Sequence, residues 1–129
     1  MTDHPAGACV FCAPAPDRVL AANEFAFAVR DTSPVTALHT LILPRRHVAD
    51  YFDLVPAEDS AIRGLLTKIR ADIMALDAHV QGFNVGVNVG EVAGQTIFHC
   101  HVHLIPRRRG DVANPRGGVR AVIPEKANY

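Results

Sequence analysis

The chain has 129 residues, a length that suits one domain spanning 1–129. Apolar residues make up 49% of it, enough for a real core, and the formal net charge is zero. That balance argues against a general positive coat for nucleic acid or a membrane surface, and no apolar run approaches the ~18 residues that a membrane span needs.

Residues 1–8 read as a loose arm, and "MTDHPAGACV" has neither a basic start nor a long apolar stretch, so no signal peptide is expected. "FAFAVR" (25–30) is short, apolar and followed by Asp31 and Pro34, which predicts a strand. "HTLILP" (39–44) predicts a second strand, ended by Pro44. After the "PRRH" turn, residues 48–52 form a brief helical turn. Pro56 suits the first turn of a longer helix, with Glu58 and Asp59 near its positive end. Ile62, Leu65, Leu66, Ile69, Ile73 and Leu76 recur at helical spacing, carrying the helix to about His79 as a core-facing stripe, with Gly82 closing it. "FNVGVNV" (83–89) alternates like a strand, "GEVAGQT" (90–96) is a glycine-bearing loop, and residues 97–106 form the next strand, ended by Pro106. The tail 111–129 adds a short strand or wraps over a partner. Together these elements predict an α+β fold: an antiparallel sheet of about five strands with one long helix and a short one.

The chemistry concentrates in "HCHVHLIPR" (99–107). Alternate side chains of a strand point the same way, so His99, His101 and His103 share a face while Cys100, Val102 and Leu104 share the other. Residues four apart on a strand are ~13 Å apart. A zinc ion needs each nitrogen at ~2 Å, so the three cannot all bind one metal. They read as a row of nucleophile and donors along an extended ligand; the competing reading is a chance run of partly exposed histidines. Neutral imidazole carries a free lone pair near pH 7 and can attack phosphorus without first losing a proton. Gly90 and Gly94 would let backbone amides approach phosphate oxygens, and Thr96 adds a hydroxyl.

"CVFC" places Cys9 and Cys12 at Cys-x₂-Cys spacing, which is half a zinc site or a redox pair; the βαβ pattern expected around a redox pair is missing. His47 and His99 could complete a Cys₂His₂ set, structural in kind because protein would fill all four positions. Cys100, facing away, reads as a small buried apolar residue. His4 and His79 read as surface residues. Three cysteines, an odd count without an export signal, predict reduced thiols and a cytoplasmic location.

"GQTIFHCHVHLIPR" (94–107) resembles the histidine-triad (HIT) family, whose pattern is His-φ-His-φ-His-φ-φ with φ apolar, and "AVRDTSPVTALHTLILPRRH" (28–47) is similar to the strand–turn–strand of its Hint branch. The resemblance spans about residues 9–110 and implies an antiparallel sheet with helices, doubled into a homodimer. It implies that His101 is the nucleophile, forming a nucleotidyl-histidine that water cleaves, that His103 donates to the phosphate or leaving oxygen, and that His99 and His39 support the row. Asn88, Gly94 and Thr96 fall on phosphate-contacting positions. Asp31 falls where a carboxylate holds ribose hydroxyls, although alone it reads as a turn residue before Ser33-Pro34. Phe11 and Val29 line the base pocket or pack in the core. Several bacterial relatives carry the four-ligand zinc pattern at Cys9, Cys12, His47 and His99; no organic cofactor is called for.

The branch is mixed. "RDTSP" and Asn88 look Hint-like, whereas Thr96 and "IPRRRGD" (105–111) look closer to the Fhit-type dinucleoside polyphosphate hydrolases. A third histidine in place of glutamine argues against the uridylyl-transferring branch. Arg107, Arg108 and Arg109 form a solvated turn or meet a polyphosphate. The expected activity is therefore nucleotide hydrolysis or transfer at the α-phosphate, of the dinucleoside polyphosphate (Ap4A-like) kind. A Hint-like purine nucleoside phosphoramidase and a non-catalytic nucleotide-binding signalling protein are the alternatives. In the tail, Val119, Val122 and Ile123 want cover, and Arg116 and Arg120 would bring positive charge to the polyphosphate across a dimer.

Overall fold

The computed structural model describes residues 9–129; the arm read at 1–8 lies outside them. Five strands form one antiparallel sheet: β1 (Val19–Ala22), β2 (Ala26–Arg30), β3 (Thr40–Pro44), β4 (Val80–Gly86) and β5 (Val102–Arg108), in the order β1-β2-β3-β5-β4. One long helix, α1 (Pro56–Leu76), covers one face. Ala26, Ala28, Ile42, Val102 and Leu104 meet its stripe of Ile62, Leu65, Ile69 and Ile73. Phe27, Val29, Leu41 and Leu43 point to the opposite face and form a smaller cluster there. Strands β2 and β3 are thus covered on both sides, which is why their sequences run apolar instead of alternating. Among the described residues no helix is long and apolar enough to cross a membrane.

Helix α1 opens with Pro56 at its first turn, where no backbone N–H is needed. Glu58, 3% exposed, accepts from the Val55 N–H at 3.0 Å and takes a two-pronged grip from Arg46 at 2.8 and 3.0 Å. The Arg46 guanidinium holds the Glu58 carboxyl below the usual carboxylate range. The pair ties the helix start to the "PRRH" turn and so fixes the backbone beside His47.

Several element boundaries differ from those the sequence predicts. The helix ends at Leu76, not His79. Asp77 turns the chain by accepting the His79 N–H at 2.9 Å, so no glycine is needed there, and Gly82 lies inside β4 opposite Arg107. Strand β4 accordingly runs 80–86 and not 83–89. Pro106 does not end β5, which continues to Arg108. Only Val102 to Leu104 pair with β3; beyond them β5 pairs on its β4 side alone, so a residue without an N–H is tolerated. His99 and His101 precede β5. The fifth strand is β1 and not a segment of the tail, which forms 3-10 turns at Gly118–Val122 and Pro124–Lys126. The brief turn read at 48–52 is a 3-10 turn at Tyr51–Asp53.

Candidate active site

The segment leading into β5 is pinned by the Cys100 N–H, which donates to the Val48 carbonyl at 2.7 Å. Cys100 itself is buried. Burial, with the nearby carboxylates of Asp50, Glu58 and Asp59, pushes its thiol up to about 12, which leaves it inert. From there the chain alternates as expected: Val102 and Leu104 enter the core, while His101 and His103 stay partly exposed with ring centroids 5.2 Å apart.

The backbone dictates where the protons sit on this row. His101 Nδ1 lies 2.8 Å from the His99 carbonyl. A carbonyl only accepts, so Nδ1 carries the proton and Nε2 keeps its lone pair. On the other side the Val35 N–H donates to His39 Nδ1 at 3.0 Å. A backbone N–H only donates, so His39 carries its proton on Nε2, which lies 3.0 Å from His103 Nδ1 and 3.5 Å from Asp31 Oδ2. His103 therefore accepts at Nδ1 and holds a proton on Nε2. One imidazole presents a lone pair and its neighbour an N–H.

Burial favours the neutral forms of His103 and His39. It is the main cause that pushes His103 down to about 4, helped by His101 and His39. Burial also lowers His39, partly opposed by Asp31. Just before His39, Leu38 sits at φ 72, a strained conformation for a side-chain-bearing residue, held by core packing and by Thr40 Oγ1 donating to the Leu38 carbonyl at 2.8 Å. Asp31, His39 and His103 offer ligand atoms within 4.8 Å of one another. The proton on His39 Nε2 makes the trio a hydrogen-bond relay and not a cation site.

Burial pushes the folded His103 down to about 4 from an ordinary 6.5, so as pH falls through that window the unfolded chain should take up this proton first and stability should be lost. An NMR titration should show the folded His103 neutral down to about pH 4; protonation near its ordinary value would contradict the relay.

The open face holds a cavity of about 540 Å³, lined among others by Phe11, Asp31, Asn88, Gly94, Thr96, His101 and His103. The structure thus brings together most of the nucleotide-contacting residues expected from the sequence. Val29 is the exception: it is 1% exposed and buried in the small cluster against which Phe11 packs. Asp31 is a turn residue as weighed, its Oδ1 accepting the Ser33 N–H at 2.8 Å, while Oδ2 faces His39, a contact the sequence did not suggest.

The loop at 90–96 owes its shape to Gly90 (φ 91), Gly94 (φ 96) and a residue the sequence did not single out, Gln95. Gln95 is 2% exposed; its Oε1 accepts the Gly90 N–H at 2.9 Å, and its Nε2 donates to the carbonyls of Ala49 and Ile97 at 2.9 and 3.2 Å. A polar amide inside "GQT" was the only available signal. Gln95→Leu leaves these buried backbone groups unpaired and should cost about 1–3 kcal/mol, read as a fall in Tm; an unchanged Tm would show that the loop holds without it.

Of the arginines expected near a polyphosphate, Arg107, Arg108, Arg116 and Arg120 are engaged elsewhere, and Arg109 is exposed. Arg107 donates to Asp111 at 2.7 and 2.8 Å and to Asn84 Oδ1 at 2.6 Å, and this contact holds the Asp111 carboxyl far below the usual range. Arg108 donates to Asp77 at 3.0 Å and to the Ala37 carbonyl at 3.1 Å. Arg116 and Arg120 lie over the Tyr129 ring, 4.9 and 4.7 Å from its centroid. The tail reaches the site through apolar residues instead: Val119 and Val122 line a second cavity of about 500 Å³ that also touches His39, Asn84 and His103.

Beside the histidine row, Cys9, Cys12, His47 and His99 place ligand atoms within 4.8 Å of one another. Cys12 Sγ lies 3.2 Å from His47 Nδ1, and His99 Nδ1 lies 3.5 Å from Cys9 Sγ and 3.6 Å from Cys12 Sγ. A tetrahedral ion with metal–sulfur and metal–nitrogen bonds of ~2.3 and ~2.0 Å separates S and N by about 3.5 Å, so the four residues fit a metal. His99 Nε2 donates to the Pro44 carbonyl at 2.7 Å, which leaves the Nδ1 lone pair for a metal, and burial lowers the tendency of His99 to protonate.

The HIT-domain family pattern matches residues 13–110. The chain belongs to the HIT family. This HIT chain is 38% identical to a HIT family protein from Bacillus anthracis, with a TM-score of 0.74 over 83% of this chain and 78% of that one. It is 32% identical to a zinc-bound histidine triad family protein from Mycobacterium smegmatis, with a TM-score of 0.74 over 85% and 82%. It is also 26% identical to Plasmodium falciparum diadenosine triphosphate hydrolase, with a TM-score of 0.67 over 78% and 68%. The HIT site geometry suits nucleotidyl transfer: a lone-pair nitrogen, an adjacent N–H donor and a glycine loop around one cavity.

Proposed function

We propose that this HIT protein is a nucleotide hydrolase that attacks the α-phosphate through His101 Nε2. The observation that carries the reading is the opposed proton placement on His101 and His103, each fixed by a backbone group. Attack by the His101 lone pair gives a nucleotidyl-histidine and expels the leaving group, which His103 Nε2–H assists; water then cleaves the P–N bond and restores His101. Asp31 grips the ribose hydroxyls, Phe11 walls the base, and Asn88, Gly94 and Thr96 contact phosphate. His39 holds the proton order of His103, and the His99 carbonyl that of His101.

The substrate reading is a dinucleoside polyphosphate, supported by the similarity to the P. falciparum diadenosine triphosphate hydrolase. A second reading, cleavage of a P–N bond in a nucleoside phosphoramidate, is favoured by the engagement of Arg107 and Arg108 with Asp111 and Asp77. These ion pairs leave less charge for a long polyphosphate. Trapping a ³²P-labelled adenylyl group on the protein separates an enzyme from a nucleotide-binding signalling protein, and product release from a panel of dinucleoside polyphosphates and phosphoramidates separates the two enzymatic readings.

The metal we assign to Cys9, Cys12, His47 and His99 is zinc, in keeping with the donor set and the zinc-bound relative from M. smegmatis. When bound it supplies a cross-link between the N-terminal segment and the sheet, with no open position for chemistry. The free thiols fit a reducing compartment, the cytoplasm. A homodimer is proposed because β4 is an outer strand that carries the exposed Val85, with the exposed Met74 lining a cavity beside it. Light scattering should give about twice the chain mass; a monomeric mass would rule this out.

A further inference from the structure

We propose that the metal centre and the nucleotide cavity are coupled through Phe11 and the His99 carbonyl, so that each occupant tightens the other. The inference rests on the reading of the cavity as a nucleotide site. Two separate links join the centres. The first is His99, which serves both with different atoms: its ring Nδ1 faces the two sulfurs, while its carbonyl accepts the His101 Nδ1–H that leaves Nε2 free. A ligand that fixes the His99 ring therefore also fixes the acceptor that sets the proton order of His101.

The second link is Phe11, which sits between the ligands Cys9 and Cys12. The turn is closed by the Cys12 N–H donating to the Cys9 carbonyl at 3.3 Å, and the Phe11 N–H donates to Cys9 Sγ at 3.4 Å. The Phe11 ring lies 5.1 Å from the His101 ring and 6.2 Å from that of His99 between centroids, both edge-on, and forms part of the cavity wall. Both distances fall in the range where such ring pairs attract. Residues 9–12 carry little else that anchors them to the sheet: Val10 is exposed, and their side-chain contacts run through the two sulfurs and this ring. Metal binding thus orders the wall against which a base would rest. A nucleotide that meets an ordered wall no longer bears the cost of ordering it, and by reciprocity it must favour the metal equally. Phe11 acts here as a positioning residue.

The test uses the zinc-loaded protein with AMP as the probe. Competition against a chromogenic chelator gives zinc affinity with and without saturating AMP, and calorimetry gives AMP affinity for zinc-loaded and metal-free protein. Both affinities should change by the same factor, about tenfold. ¹⁵N NMR should show the His101 ring as one tautomer, protonated at Nδ1, in the loaded protein and as a mixture without metal. Phe11→Leu, which keeps an apolar side chain and all four ligands, should bind zinc as before without nucleotide but lose most of the coupling. Equal AMP affinities with and without metal overturn the proposal, as does an unaltered His101 spectrum. Coupling that survives Phe11→Leu in full overturns the Phe11 route. AMP that fails to bind the loaded protein at millimolar concentration instead removes the nucleotide reading itself.

Discussion

Replacing His101 by alanine should lower turnover by at least about 10³-fold while the fold and nucleotide binding persist. His101 is the only member of the row whose free nitrogen lone pair faces the cavity. Its Nδ1 proton is tied to the His99 carbonyl, and His103 beside it is turned the other way, with its proton outward. No neighbour can take over: His99 is buried with both ring nitrogens engaged, and His39 holds a proton on the nitrogen facing His103. Steady-state rates on the best substrate of the panel, with AMP affinity by calorimetry and a circular dichroism spectrum, separate lost chemistry from lost structure. A variant that keeps more than about a tenth of the activity would show that the covalent step runs through another group.

The second large effect is expected from Cys9→Ser combined with Cys12→Ser. Protein purified without a histidine tag should hold close to one zinc per chain, and the double variant should hold none. Its Tm should fall on the order of 10 °C, because the proposed ion would tie residues 9–12 to His47 after the "PRRH" turn and to His99 ahead of β5. The sheet and α1 have their own core, so the variant should stay folded at 25 °C. Unchanged metal content would sink the four-ligand assignment, whatever happened to the melting curve.

The elements legible in the sequence were those whose signals are local. Apolar runs of the right length gave β2 and β3, and the 3.6-residue stripe gave α1 from Pro56. The alternation of His101 with Val102 and His103 gave the open and buried faces. Four residues of β1, Val19–Ala22, carry too little pattern to stand out, and their pairing with β2 is a long-range fact. Pro106 was misleading because its tolerance depends on β3 having already ended beside it. At the site, residue types with strong chemistry could be found, and so could their spacing. Gln95 could not, since an amide that organises a loop resembles any other polar loop residue until its three partners are known. The engagement of Arg107 and Arg108 was equally hidden: a run of arginines shows charge, but only the fold shows that Asp111 and Asp77 neutralise it.

The two groups that set the proton order, the Val35 N–H and the His99 carbonyl, belong to the main chain. A main-chain group survives almost any substitution at its own residue; at position 35 only proline would remove the donor. The cavity walls, by contrast, are built from exchangeable side chains such as Phe11, Asn88, Thr96, Val119 and Val122. Reactivity and selectivity are therefore written in different parts of the polymer. On the proposed mechanism, repeated changes of the walls would move the chain from one leaving group to another without disturbing which imidazole attacks and which one donates, so an engineer could remodel the pocket and leave the proposed reaction intact.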